Sequence, residues 1–241
     1  MNRARRQRPT ARPRSSGAST GTFVLWGGGT DFFLGDDSFT LDGKPWPVPK
    51  KDFYVTTALT DHAARFIREE RQAHPDKPFF LYLAYNAPHS PIEAPAAEMA
   101  KYRGSYLRGW DVIRRERFAK QQAIGLAGSG WHLPERPQNI PAWDALDDKS
   151  KDFEDLRMAT YAAMVDCVDQ GVGRVMQTLD ELKLRDDTLV ISSTTTGPAQ
   201  TTACAVANSE RRAPHGMSAL AGRTRRARRS GSTSARSTAA A

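Results

Sequence analysis

Residues 78–91 read PFFLYLAYNAPHSP, and the fold turns on this stretch. Residues 79–85 form a short, continuously apolar run bounded by prolines, the pattern of a central strand covered on both faces in a parallel sheet. The run opens into Asn86-Ala87-Pro88-His89, a loop at the carboxyl end of a strand, where open α/β sheets collect their ligands. Upstream, Thr56 or Thr57 is placed to cap a helix whose Leu59, Ala63, Phe66 and Ile67 share one face. Pro75 and Pro78 stop that helix. Downstream, residues 91–143 are loop-rich, with short helical pieces at 96–102 and 112–122. Residues 152–184 carry the longest helical pattern, an apolar stripe of Leu156, Ala159, Ala163, Val168, Val172, Val175, Leu179 and Leu182 with charges opposite. Asp186-Asp187 turns into TLVIS, a second buried strand. Helix–strand–loop repeated twice predicts an α/β architecture with parallel strands. The two places to look for chemistry are the loop at His89 and the loop at Thr194–Gly197.

The charge is concentrated at the ends. The chain has 241 residues and a formal charge of +8, with a pI near 9.7 and a mean hydropathy of −0.58. Residues 1–20 contain six arginines and no acid; residues 201–241 contain eight arginines and Glu210. The two ends carry +6 and +7, which leaves −5 for residues 21–200. The ends lack Lys, Phe, Tyr and Trp, too few bulky apolar groups to offset the entropy of folding. Residues 1–20 and 194–241 are expected to be disordered Arg-rich tails around a body at 21–193. Nucleic acid is a partner only nonspecifically, through these tails, because aromatics that would stack on bases are missing from them.

Cys167 and Cys204 make a poor disulfide framework and fit a reducing compartment. No apolar run is long enough to span a membrane, and the basic first twenty residues lack the apolar core of a secretory signal. As written, the chain reads as cytoplasmic, with room for a native start upstream.

His89, fixed between Pro88 and Pro91, is the candidate catalytic residue: a histidine there can donate to an anion or protonate a leaving group. His62 and His74 read as structural, and His132 and His215 have no visible partner. GGGTDFFLGDD at 27–37 lacks the Gly-Lys-Ser/Thr ending of a phosphate loop and reads as a turn. Asp36-Asp37 resembles a metal pair only superficially, since divalent sites need several converging oxygens. The hydroxyls at 192–202 have no neighbouring base.

Several separated segments carry a family resemblance: FYVTTALTDHAARFI (53–67), KPFFLYLAYNAPHSPIEAP (77–95), KYRGSYLRGWDVIRRERFAKQQAIGL (101–126), PAWDAL (141–146) and YAAMVDCVDQGVGRVMQTLDELKLRDDTLVI (161–191). The body resembles a sulfatase of the arylsulfatase type, within the alkaline-phosphatase-like superfamily. The resemblance implies an incomplete alkaline-phosphatase-like fold, α/β with a parallel-rich central sheet flanked by helices, and sulfate esters as substrates. It implies a formylglycine nucleophile made from the cysteine of Cys-x-Pro-Ser-Arg, and calcium or another divalent cation held by an early Asp-Asp and a later Asp-Asn pair. Of this machinery only His89 carries over, as the histidine that contacts the sulfate or assists the leaving oxygen. No metal ligand or cofactor-binding residue is assigned, and neither group is expected in this chain. Cys167 is followed by Val-Asp-Gln and Cys204 by Ala-Val-Ala. Where Asp-Asn-Gly should follow the strand at 188–193, the sequence has Thr195-Thr196-Gly197.

Threonine codons are ACN. If Thr194–Thr196 are ACG, ACA and ACG, a frame two nucleotides later spells Asp-Asn-Gly. Ala18-Ser19-Thr20-Gly21 similarly permits Arg-Phe-Tyr-Gly. The chain therefore reads as a truncated or frameshifted, inactive sulfatase fragment joined to out-of-frame ends. A basic-tailed nucleic-acid-binding protein and an anion-binding pseudoenzyme are the alternatives. Sequencing the DNA across codons 185–205 tests the first reading: GAC-AAC-GGN followed by sulfatase-like sequence in the shifted frame is expected, and other threonine codons would refute it.

Overall fold

The computed structural model describes residues 21–26, 30–194 and 202–208, with backbone alone for Thr194 and 202–208. A small meander comes first: β1 (Phe23–Leu25), β2 (Phe39–Leu41) and β3 (Lys44–Pro45), antiparallel in that order. Leu41 pairs with Lys44 across Asp42-Gly43, whose φ angles of 51° and 75° make the two-residue turn that Asp-Gly favours in hairpins. The main sheet contains β4 (Phe80–Tyr85), β5 (Thr188–Thr194) and β6 (Thr202–Asn208), in the order β4-β6-β5.

Among the described residues four α-helices accompany the sheets: α1 (Val55–Ala73), α2 (Ala96–Ala100), α3 (Trp110–Ala123) and α4 (Asp148–Glu181). The core lies where α1 and α4 pack together and against one face of β4. Val55, Ala63 and Ile67 of α1 meet Ala163, Met164, Val175 and Leu179 of α4, with Leu83 and Tyr85 of β4. Deep in this contact Thr60 Oγ1 lies 2.8 Å from Tyr85 Oη and 2.9 Å from the Thr56 carbonyl oxygen. Gly171 of α4 faces both side chains. A Cβ there would stand 2.6 Å from Thr60 Oγ1 and from Tyr85 Oη.

Several expectations are corrected. Neither Thr56 nor Thr57 caps α1. Tyr54 is the N-cap and contributes no side-chain bond; the Val55 N–H donates to the Phe32 carbonyl instead, so another segment satisfies an end that a side chain would usually serve. The long helix begins at Asp148 because Asp147 accepts the Ser150 N–H at 2.8 Å. Its buried stripe excludes Leu156, which is 40% exposed, and includes Asp155, held by the Arg103 guanidinium and the Gly104 and Tyr106 N–H groups.

The parallel-rich sheet is also corrected. Both β4 and β5 pair antiparallel with β6, so they run in the same direction without touching. Residues 202–208, expected to belong to an unstructured tail, form that central strand. Averaging over forty residues hid an uncharged window, TACAVAN, that can satisfy two open strand edges. Nor are β4 and β5 covered on both faces. Phe80 and Leu189 both register with Ala207, and Tyr82 and Ile191 both with Ala205; these four residues are 71%, 64%, 64% and 53% exposed. Alternation puts them on one face, away from the helices.

The close approach at Gly171 makes a direct prediction. Alanine normally favours a helix over glycine. Here Gly171→Ala is expected to lower stability by about 1–3 kcal/mol through overpacking, with Tm falling by about 2–4 °C per kcal/mol for a chain of this size. A thermal melt showing a higher Tm would contradict the packing described.

Candidate functional site

Tyr85 ends β4 inside the core, and the next four residues carry the chain to the rim. Asn86 is buried, and its carbonyl accepts the His89 N–H at 2.9 Å, closing the turn. The Ala87–Pro88 and Ser90–Pro91 bonds are both cis. Beyond the loop, Glu93 Oε2 accepts the Phe32 N–H at 2.7 Å and the Glu93 carbonyl accepts the Tyr54 hydroxyl at 3.0 Å. The histidine loop is thus held at one end by the strand and at the other by the segment that precedes α1.

His89 is exposed, and its Nδ1 lies 2.6 Å from the Ser90 carbonyl oxygen. A carbonyl oxygen can only accept, so Nδ1 carries the proton and Nε2 is left free to take or give one. His89 and Asn86 line a cavity of about 580 Å³ whose other walls include Phe23, Leu25, Leu59, Phe66 and Leu81. A cavity of this size and largely apolar lining suits a small organic molecule. Asn86 Oδ1 sits out of water without a hydrogen-bond partner, which supplies a polar group beside the histidine. Sequence reading passed over Asn86, although it is the first polar position after the strand, at the end where ligands gather.

His62 lies on the same cavity wall. Its ring stacks on Phe23 with centroids 3.9 Å apart, and Arg65 Nη2 lies 3.0 Å from its Nδ1. A guanidinium only donates, so Nδ1 accepts and the neutral ring carries its proton on Nε2. Burial, and then the Arg65 charge, hold its pKa below the usual 6.5. His62 therefore packs as a neutral aromatic, in keeping with the structural role expected of it. His74 lies beside the end of α1, 3.8 Å from Glu70 Oε1. His132 is exposed.

The remaining candidates do not gather around His89. Asp36 accepts the Ser38 N–H in a turn, and Asp36 and Asp37 are both exposed. Cys167 is a free, half-buried thiol pushed up to about 11 by burial and by the charges of Glu98 and Asp166. Gly27–Gly29, Thr195–Gly197 and His215 lie outside the described residues, and Cys204 registers in β6 opposite Leu83 and Ser192.

A model of the sulfatase family matches residues 10–194. The chain belongs to the sulfatase family. The match extends upstream of Gly21, into residues set apart by charge and composition, and stops where β5 stops. The chain is 30% identical over 204 residues to an arylsulfatase of Klebsiella aerogenes, covering 80% of this chain and 43% of that protein. It is 34% identical over 148 residues to an uncharacterized sulfatase of Schizosaccharomyces pombe, covering 58% of this chain and 25% of that protein. A multifunctional alkaline phosphatase superfamily protein of Trinickia caryophylli is 28% identical over 184 residues, covering 67% of this chain and 31% of that protein. The chain thus spans less than half the length of these relatives.

Membership implies an alkaline-phosphatase-like α/β fold, of which the sheets and helices here are a mixed, partial version. Sulfatases act on sulfate esters with a metal and a formylglycine. The residues described here fit neither group. Among them no three His, Cys, Asp or Glu side chains converge to hold an ion, whereas a hard cation needs several oxygens. Cys167 has neither the flanking motif nor the thiolate character of a reactive cysteine. No described helix is long and apolar enough to cross a membrane.

The buried, neutral state of His62 gives a pH signature. Above pH 6.5 the folded and unfolded chains both carry it uncharged. Below 6.5 the unfolded chain takes up the proton first, so acid selectively destabilises the wild type. The stability gap between wild type and His62→Gln, followed by thermal melts from pH 7.5 to 5.5, should narrow as pH falls. A gap independent of pH would contradict this assignment.

Proposed function

We propose that this chain carries the histidine-bearing part of a sulfate-ester hydrolase, that His89 is its substrate-contacting residue, and that the polypeptide does not turn over substrate by itself. The observation that carries the reading is the placement of His89. Its Nδ1–H is committed to the Ser90 carbonyl, its Nε2 is free, and it stands on the rim of a largely apolar cavity. As the imidazolium, Nε2–H donates to a sulfate oxygen; where a nucleophile supplied from outside the described residues bonds to sulfur, the same proton would go to the departing ester oxygen as its S–O bond breaks. Phe23, Leu25 and Phe66 take up an aryl or other apolar body, which suits esters of the arylsulfatase type.

The proposed inactivity rests on the groups that the reaction would still need. The sequence has no Cys-x-Pro-Ser-Arg, the described carboxylates do not converge, and Cys167 is a protonated thiol at neutral pH. Catalytic groups that act as a unit are strongly non-additive, so a histidine alone supplies little of the rate. We read the threonines at 194–196 and the arginine-rich end that follows them, beyond the residues the family model matches, as sequence joined to this body out of frame.

Calorimetry with 4-nitrophenyl sulfate, alongside an assay for 4-nitrophenol with and without added calcium, tests both parts. The expected result is saturable binding, about ten-fold weaker in His89→Ala, as for the loss of one charged hydrogen bond, and no 4-nitrophenol above buffer. Unchanged affinity in His89→Ala would remove His89 from the site. Release of 4-nitrophenol that disappears in that variant would overturn the inactivity.

A further inference from the structure

A second cavity, of about 850 Å³, shares no residue with the first and is lined from α3, α4 and the loop between them. Its walls combine Trp110, Ile140 and Phe153 with an excess of positive charge from Arg114, Arg136, Lys149 and Arg157, against Glu154 alone. The pairing inside this set is uneven. Arg136 Nη1 donates to both carboxylate oxygens of Asp111 at 3.0 Å. Arg157 donates to Glu154 at 2.8 Å and lies 5.9 Å from the Phe153 ring centroid.

Arg114 and Lys149 keep their charge. Among the described residues Arg114 donates to the Pro134 carbonyl, at 3.0 Å, a neutral acceptor, and makes no ion pair. Lys149 is exposed and makes no ion pair among the described residues. Of the two acids before it in sequence, Asp147 is engaged as the cap of α4, through the Ser150 N–H, and Asp148 is exposed and makes no ion pair with it among the described residues. Trp110 adds an indole Nε1–H that is closed to solvent and has no acceptor. The unused groups are therefore two cations, one donor and exposed apolar surface, with Phe153 57% and Ile140 40% exposed.

We propose that this cavity is a binding site for a small aromatic dianion. The apolar body lies against Trp110, Ile140 and Phe153, and two anionic groups meet Arg114 and Lys149. Two features set this ligand class. The volume falls in the range of small-molecule sites, and the unpaired charge on the wall is two. Guanidinium and ammonium groups next to aromatic surface favour an anion carried on a flat apolar frame over a bare inorganic ion, because the frame removes apolar area from water while its charges are met. The proposal does not depend on the sulfate-ester reading of the His89 cavity.

Calorimetry of the full chain with naphthalene-1,5-disulfonate decides it, with naphthalene and inorganic sulfate as the neutral and bare-anion controls. The expected result is saturable binding of the disulfonate, much weaker binding of either control, and roughly ten-fold or greater loss of affinity in the Arg114→Gln/Lys149→Gln double variant. Both substitutions fall on side chains without a buried partner, and an unchanged thermal melt verifies that the variant is folded. His89→Ala should leave untouched the binding that the double substitution removes, since it alters only the other cavity; any weaker binding of the disulfonate at His89 is recognised by its loss in that variant alone. The proposal is overturned by absent binding, by affinity insensitive to the double substitution, or by affinity lost in His89→Ala instead.

Discussion

The contact of Gly171 with Thr60 and Tyr85 is the constraint on which the rest of the structure hangs. Three elements distant in sequence meet there, the two long helices and the strand that leads to His89. A hydroxyl pair 2.8 Å apart among the apolar side chains between the two helices and β4 is held by its mutual bond, because an unpaired buried polar group costs more than a formed bond returns. The missing side chain of Gly171 lets α4 approach closely enough for that pair to be covered. Strand β4 is thereby fixed in depth, and the loop after it inherits its position from Tyr85.

The histidine loop illustrates how backbone groups choose a side chain's chemistry. A single carbonyl, from the residue that follows His89, determines which ring nitrogen holds the proton and so which one faces outward to do work. His62, on the same wall, receives the opposite treatment from Arg65 and from burial. Two histidines on one cavity thus have different roles, set by their neighbours.

The other end of the molecule is organised by charge. The buried Asp155 takes a guanidinium and two backbone N–H groups from the turn at residues 103–106, which ties the approach to α3 onto α4. A buried carboxylate is tolerated only when so fully met. The pairing of Arg136 with Asp111 then holds the loop at 136–140 against α3. Charge left over once these structural pairs are made lies on the cavity wall between the two helices.

The sequence by itself determined the existence of α1, α4 and the two apolar strands, since their periods and their proline and acidic boundaries are local properties of the chain. It also determined the family, the candidate His89 and the polarity of the ends. Tertiary structure decided the rest. Pairing direction depends on which strand enters between β4 and β5, and nothing local to either strand encodes that. The cap of α1 is a carbonyl twenty-three residues upstream of the N–H it receives, invisible to a search for capping side chains. Asp155 reads as a solvent-facing charge in a helical pattern until Arg103, fifty-two residues away, is brought against it. Asn86 becomes a site residue only when the turn of the chain places it beside His89 with its oxygen unpartnered. Local periodicity reports which face of an element is apolar; what that face meets depends on contacts that only the folded chain makes.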